Sequence, residues 1–212
     1  MCCVAVLAGC DLVRPFDQIC ERNLRPASFG VVAAPIQHEL DLSQSAAQLS
    51  ARGAASSGRL VLGITNGSMK STVAAAGNAI TSPLSRRYCV RPQVEVTLAV
   101  VPLKVAIARE QAPGSCEHGL TLAHEMKHVL VYERFLQEVA ESVEAELKAR
   151  IGDQVRHFAS RAEGERELPA LVERTVKPLI EAGMHEVGRR QAAIDTPEEY
   201  ARLDERQARC LR

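Results

Sequence analysis

Apolar positions divide the chain into a strand-like half and a helical half. Over 93–101, Val94, Val96, Leu98 and Val100 alternate with other neighbours, the period-two pattern of a strand with one buried face. Pro102 interrupts, and 103–109 predicts a further strand. Upstream, 59–65 reads as a strand closed by the turn signal Asn66-Gly67. These pieces predict a short antiparallel sheet with 103–109 at its edge. Residues 11–58 are mixed. They have a turn-rich start at Pro15, Pro26 and Gly30, a helix expected from Asp41 to Ala51, and a Gly/Ala/Ser-rich loop from there to Gly58.

From about Glu117 the period changes. Phe135 or Leu136, Val139, Val143 and Leu147 recur every three or four residues, and Gly and Pro are absent from 121 to 151. That predicts one long helix breaking near Gly152. A second helical pattern opens at Leu168-Pro169. It runs through Val172, Val176, Leu179 or Ile180, Met184 and Val187, with a kink expected at Pro178 and an end near Ile194. Thr196-Pro197-Glu198-Glu199 then supplies a cap, a first-turn proline and a glutamate three residues on, starting a short final helix that carries Cys210. The two long helices should form an antiparallel hairpin joined near 163–167, so the fold class expected is α+β. No internal repeat is present.

The 212 residues suit one domain with a real core. With 46% apolar but only 3% aromatic residues and no Trp, that core must be aliphatic. Lys plus Arg balances Asp plus Glu at 26 each. Such a chain has no electrostatic reason to bind nucleic acid, which leaves small molecules, peptides or proteins as partners.

The start, Met-Cys-Cys-Val-Ala-Val-Leu-Ala-Gly-Cys, is an apolar run too short to span a bilayer, which takes about 20 residues. It has the length of a signal-peptide apolar region without the basic segment that precedes one, so translation is expected to begin further upstream. Leu7-Ala8-Gly9-Cys10 resembles the bacterial lipoprotein signal, in which the cysteine is lipidated and becomes the first mature residue. Residues 1–9 are then a signal remnant and 10–212 the single domain, anchored to a membrane through Cys10. Four further cysteines remain, and an even number in an exported chain predicts disulfides. Cys89 and Cys116 flank what reads as a hairpin and are expected to pair. Cys20 would then join Cys210.

The densest chemistry lies at His124-Glu125-Met126-Lys127-His128, early in the long helix. Histidines four apart share one helix face and can reach a single zinc ion. Glu125 lies beside that face, where a carboxylate can act as general base.

On these residues the chain resembles the zincin metallopeptidases. More narrowly it resembles an uncharacterised group of secreted bacterial zinc-dependent proteases, on Cys116, His124-Glu125-Met126-Lys127-His128 followed by Glu133, and a late Asp195-Thr196 before the last cysteine. The likeness covers about 89–210 and lacks the metzincin extension, since Arg134 stands where a third His would fall. It implies a zincin-like fold and peptide-bond hydrolysis, not a substrate.

A catalytic zinc needs a third protein ligand. Glu133 is about 140° around the helix from His128 and faces away. Helices of equal rise bring Ile194 back to the level of residues 134–137, so 195–199 lies about one turn from His128. Asp195 and Glu199 share the third-ligand expectation, ahead of Glu198, and Glu199 also fits a capping box. Tyr200 could donate to an oxyanion or simply pack. His118, His38, His157 and His185 carry less weight.

The reading is therefore a zinc peptidase with Glu125 as base, His124, His128 and Asp195 or Glu199 as ligands, and a peptide or protein substrate added to the 103–109 edge. It would sit lipid-anchored on the periplasmic side of the bacterial envelope. The alternatives are a lipid-anchored binding or assembly module whose hairpin docks a partner, or a zincin fold without activity.

Overall fold

A computed structural model describes residues 15–52 and 59–210; Cys10 and the other residues expected to form a lipoprotein-type signal lie outside them. Two strands dominate: β3 (Gly63–Thr81) and β4 (Tyr88–Ile107) pair antiparallel along nearly their whole length. Because β3 occupies one edge of β4, every other partner must use the opposite edge. There β5 (Arg156–Phe158) pairs antiparallel at 88–90, while β1 (Ser28–Ala33) and β2 (Glu39–Asp41) pair parallel at 93–98 and 104–106. The sheet is thus mixed rather than short and antiparallel. Segment 103–107 lies between β2 and β3 and is no edge.

Pro102 does not split β4. Gly67 pairs Leu103 and Met69 pairs Val100, so Val101 and Pro102 together oppose Ser68 in a bulge. A proline has no N–H to give the ladder, and the bulge absorbs it. The bulge also changes the phase of the alternation. Val94, Val96, Leu98 and Val100 face the core before it, and Leu103, Val105 and Ile107 after it.

Four-fifths of β3 had no sequence signal. Asn66-Gly67 continues the strand instead of turning it, and the run from Ser68 to Thr81 is mostly Ser, Thr, Ala and Gly. Its extended form comes from pairing with β4, a tertiary cause that local propensity does not register.

Three helices follow β4, with β5 between the first two: α3 (Cys116–Arg150), α4 (Arg161–Ala192) and α5 (Pro197–Cys210). Ser115 caps α3, accepting from the His118 N–H at 3.1 Å, and Gly152 with φ 62° ends its C-terminal turn. Val129, Tyr132, Phe135, Leu136, Val139, Val143 and Leu147 form its buried stripe, against the sheet and against Val172, Val176 and Val187 of α4. The α4 helix starts seven residues before the expected Leu168, because Ser160 caps it by accepting from the Glu163 N–H and the Glu163 side chain accepts from the Ala159 N–H just before the cap. The join between the long helices is therefore 151–160 rather than 163–167. Two small helices, α1 (Phe16–Asn23) and α2 (Ala46–Arg52), pack near opposite ends of β4.

The disulfides pair differently from expectation. Cys20 joins Cys89 and Cys116 joins Cys210. The expected Cys89–Cys116 bridge assumed a hairpin between them, but one continuous strand carries the chain away. From Cys89 to Ile107 it spans roughly 60 Å at about 3.3 Å per residue. Cys89 instead tethers α1 to the far end of the sheet, and Cys116 tethers the end of α5 to the start of α3. Two disulfides mark a chain that folds in an oxidising, extracytoplasmic compartment. Among the described residues no helix is long and apolar enough to cross a membrane.

Candidate metal centre

His124, Glu125 and His128 lie on the buried side of α3, at 5, 4 and 6% exposure. Opposite them the α4–α5 junction delivers Asp195. Its Oδ1 is 3.1 Å from Nε2 of His124 and 3.2 Å from Nε2 of His128. Donors held at about 2.0–2.2 Å around a tetrahedral zinc would lie roughly 3.3 Å apart. The ligand atoms of these three residues all fall within 4.8 Å of one another, and the Asp195 side chain is 37% exposed, leaving an approach from solvent. The donor set, two imidazoles and a carboxylate, suits zinc chemically.

Asp195 is thus the carboxylate brought to the histidines, and Glu199 is not. Glu199 is ion-paired with Lys127 and lies 3.2 Å from Arg202. Its Oε1 faces the other nitrogen of His124, Nδ1, at 3.8 Å. A group on the Nδ1 side cannot share an ion bound at Nε2. The Glu199 N–H donates to the Thr196 hydroxyl at 3.2 Å, so Thr196 caps α5 as expected, but the Glu199 side chain does not complete a capping box: the Thr196 N–H donates to the Ile194 carbonyl instead. Glu198 is exposed and outside the cluster, as is Glu133, which faces away as the helix geometry requires. The chain returns Gln191 and Asp195 to His128 and His124, about two turns nearer the start of α3 than the hairpin count placed them.

Tyr200 donates its hydroxyl to Asp195 Oδ1 at 2.9 Å, and its ring lies 5.6 Å from that of His124. Burial, with the adjacent Asp195 carboxylate, pushes this hydroxyl well above its ordinary pKa, so it stays a donor. Burial also raises Asp195, but its contacts with His124, His128 and Tyr200 outweigh that and hold the carboxyl well below the usual range. His128 is pulled down by burial and raised more strongly by Asp195 and Gln191. Glu125 is raised, its burial outweighing the Thr65 hydrogen bond and the neighbouring histidines. A carboxylate shifted upward in this way is better matched to proton transfer near neutral pH.

Three residues around the cluster carried no signal in the reading of the sequence. Thr65 donates to Glu125 Oε2 at 2.7 Å and fixes the carboxylate. Gln191 contacts both the ring and the backbone carbonyl of His128. Gly63 lets β3 close on α3: a methyl there would fall 2.5 Å from Glu125 Oε1 and 2.8 Å from Thr121 Cγ2. Gly63 and Thr65 share a strand face, and Gln191 precedes Asp195 by one helical turn, so simple periodicity links each to the site once one member is known. Gly63→Ala is therefore expected to swing the Glu125 side chain away. Any hydrolysis at this site should drop at least tenfold while the affinity of the His124, His128 and Asp195 group for a metal ion stays within about threefold, because neither histidine moves. Peptide-cleavage rates and zinc titration of the variant check this.

The other histidines lie apart from the cluster. His38 and His185 are exposed, and His157 sits 3.4 Å from Asp17. His118 is buried in the first turn of α3, its Nε2 without a hydrogen-bond partner among the described residues. No known protein family, curated protein or solved structure matches the chain.

Proposed function

We propose that the protein is a zinc-dependent peptidase of the extracytoplasmic bacterial envelope, tethered through a lipidated Cys10. The observation that carries this reading is the convergence of His124 Nε2, His128 Nε2 and Asp195 Oδ1 beside the buried Glu125. A zinc ion held by those three atoms would polarise a substrate carbonyl and lower the pKa of water toward about 7.

The remaining work falls to the chain's own groups. Thr65 occupies Glu125 Oε2, which leaves Oε1 to take the proton from an attacking water and deliver it to the leaving amine. Tyr200 holds Asp195 from outside. Among the described residues the β3 edge at 63–67 that faces away from β4 is unpaired, and an extended peptide can add to that edge, beside Glu125, by backbone hydrogen bonds. This replaces the 103–109 edge, which is paired on both sides.

Zinc-loaded protein incubated with a mixture of unstructured peptides should produce defined cuts by mass spectrometry. A chelator should abolish them and added zinc restore them. Protein that holds zinc but cuts no peptide would favour a binding module or an inactive zincin.

A further inference from the structure

We infer that Gln191 is a positioning residue that fixes the tautomer of His128 and so presents its Nε2 as a ligand. The inference rests on the metal-site reading for its purpose, but not for its geometry. Gln191 makes two contacts with the same residue. Its Nε2 lies 3.2 Å from the His128 backbone oxygen, and its Oε1 lies against His128 Nδ1.

A backbone carbonyl can only accept. The nitrogen end of the Gln191 amide must therefore face it, because the flipped amide would set two acceptors against each other there. With the amide so oriented, its oxygen is the atom facing His128 Nδ1. An oxygen acceptor needs a proton on that nitrogen, so Nδ1 is the protonated position. In the neutral ring the lone pair is then on Nε2, which points at Asp195 Oδ1 at 3.2 Å.

That last pair explains what the arrangement is for. Without a proton on Nε2, a lone pair of the buried His128 ring and a carboxylate oxygen face each other at hydrogen-bond distance. A cation between them converts that repulsion into two bonds. Partners that hold a ligating histidine by its other nitrogen fix both ring orientation and tautomer, and losing one typically costs about 10–100-fold in metal affinity. Among the described residues the His124 ring lacks such a partner: its Nδ1 is buried and without a hydrogen bond, with Glu199 Oε1 3.8 Å away. The burden of orientation accordingly falls on His128 and Gln191.

The test reads the tautomer directly, by nitrogen-15 NMR of the His128 ring in metal-free protein at about pH 9.5, above the ordinary imidazole range. Wild type should show the Nδ1–H form. Gln191→Leu, which removes both contacts, should shift His128 toward Nε2–H and weaken zinc binding about 10–100-fold. Gln191→Glu can still accept from Nδ1–H and should keep the wild-type tautomer, with zinc affinity within about tenfold. Wild type in the Nε2–H form overturns the inference whatever the variants do. So does Gln191→Leu with unchanged tautomer and unchanged zinc affinity. If Gln191→Leu fails to fold, Gln191→Glu decides together with wild type. Wild type in the Nδ1–H form that takes up no zinc supports the hold of Gln191 on the ring and sinks the metal reading instead.

Discussion

Glu125→Gln is expected to keep the metal and lower peptide hydrolysis by about 10²–10⁴-fold, the usual contribution of a positioned general base. The amide has nearly the shape of the carboxylate, so Gly63 and Thr121 need not move. The Thr65 hydroxyl can still donate to an oxygen at the Oε2 position. What the variant cannot do is take up a proton. Retained zinc with lost cleavage therefore separates chemistry from folding, and thermal melts should match those of wild type within a few degrees. A variant that still cuts within tenfold of wild type would mean that another group removes the proton.

The second large effect is expected at Asp195. Replacing it by Ala leaves two histidines and no charged donor, and catalytic zinc sites use three protein ligands. Zinc affinity should fall well beyond the about 10–100-fold that marks loss of a surrounding contact. Glu199→Ala provides the contrast. It removes ion pairs with the half-exposed Lys127 and the exposed Arg202, at a cost of about 1 kcal/mol, and leaves the Thr196 cap in place because the Glu199 backbone N–H is the donor. Zinc titration with both variants ranks the two carboxylates. Should Glu199→Ala strip the metal while Asp195→Ala retains it, the roles read from the distances are reversed.

Local chemistry was legible in the sequence where one helix carries it. The spacing of His124 and His128 needs only a regular helix, and the absence of Gly and Pro from 121 to 151 provides one. Glu133 could be turned away from the site by the same geometry. The approach of Asp195 followed from two helices returning on each other, although Ser160 starts α4 earlier than Leu168 and the strand at 156–158 sits in the join. The choice between Asp195 and Glu199 was not legible. It depends on which nitrogen of His124 each carboxylate meets, and on Lys127 drawing Glu199 aside.

The sheet was read less well, for a single reason. Its center is one long strand crossed by a bulge, and the pattern of alternation changes phase at Pro102. Taken as two strands, that pattern implied a hairpin, an edge at 103–109 and a Cys89–Cys116 bridge, and all three failed together. Most of β3 is too small and polar to announce itself. Gly63 and Thr65 lie in the part of β3 that does read as a strand, but nothing local shows that this strand packs against Glu125.

The central claim is the metal centre, and metal content tests it most directly. Purified protein, stripped with a chelator and then dialysed against zinc, should hold about one zinc per chain. His124→Ala and His128→Ala, treated alike, should hold almost none. Folded wild-type protein that takes up no zinc would contradict the account.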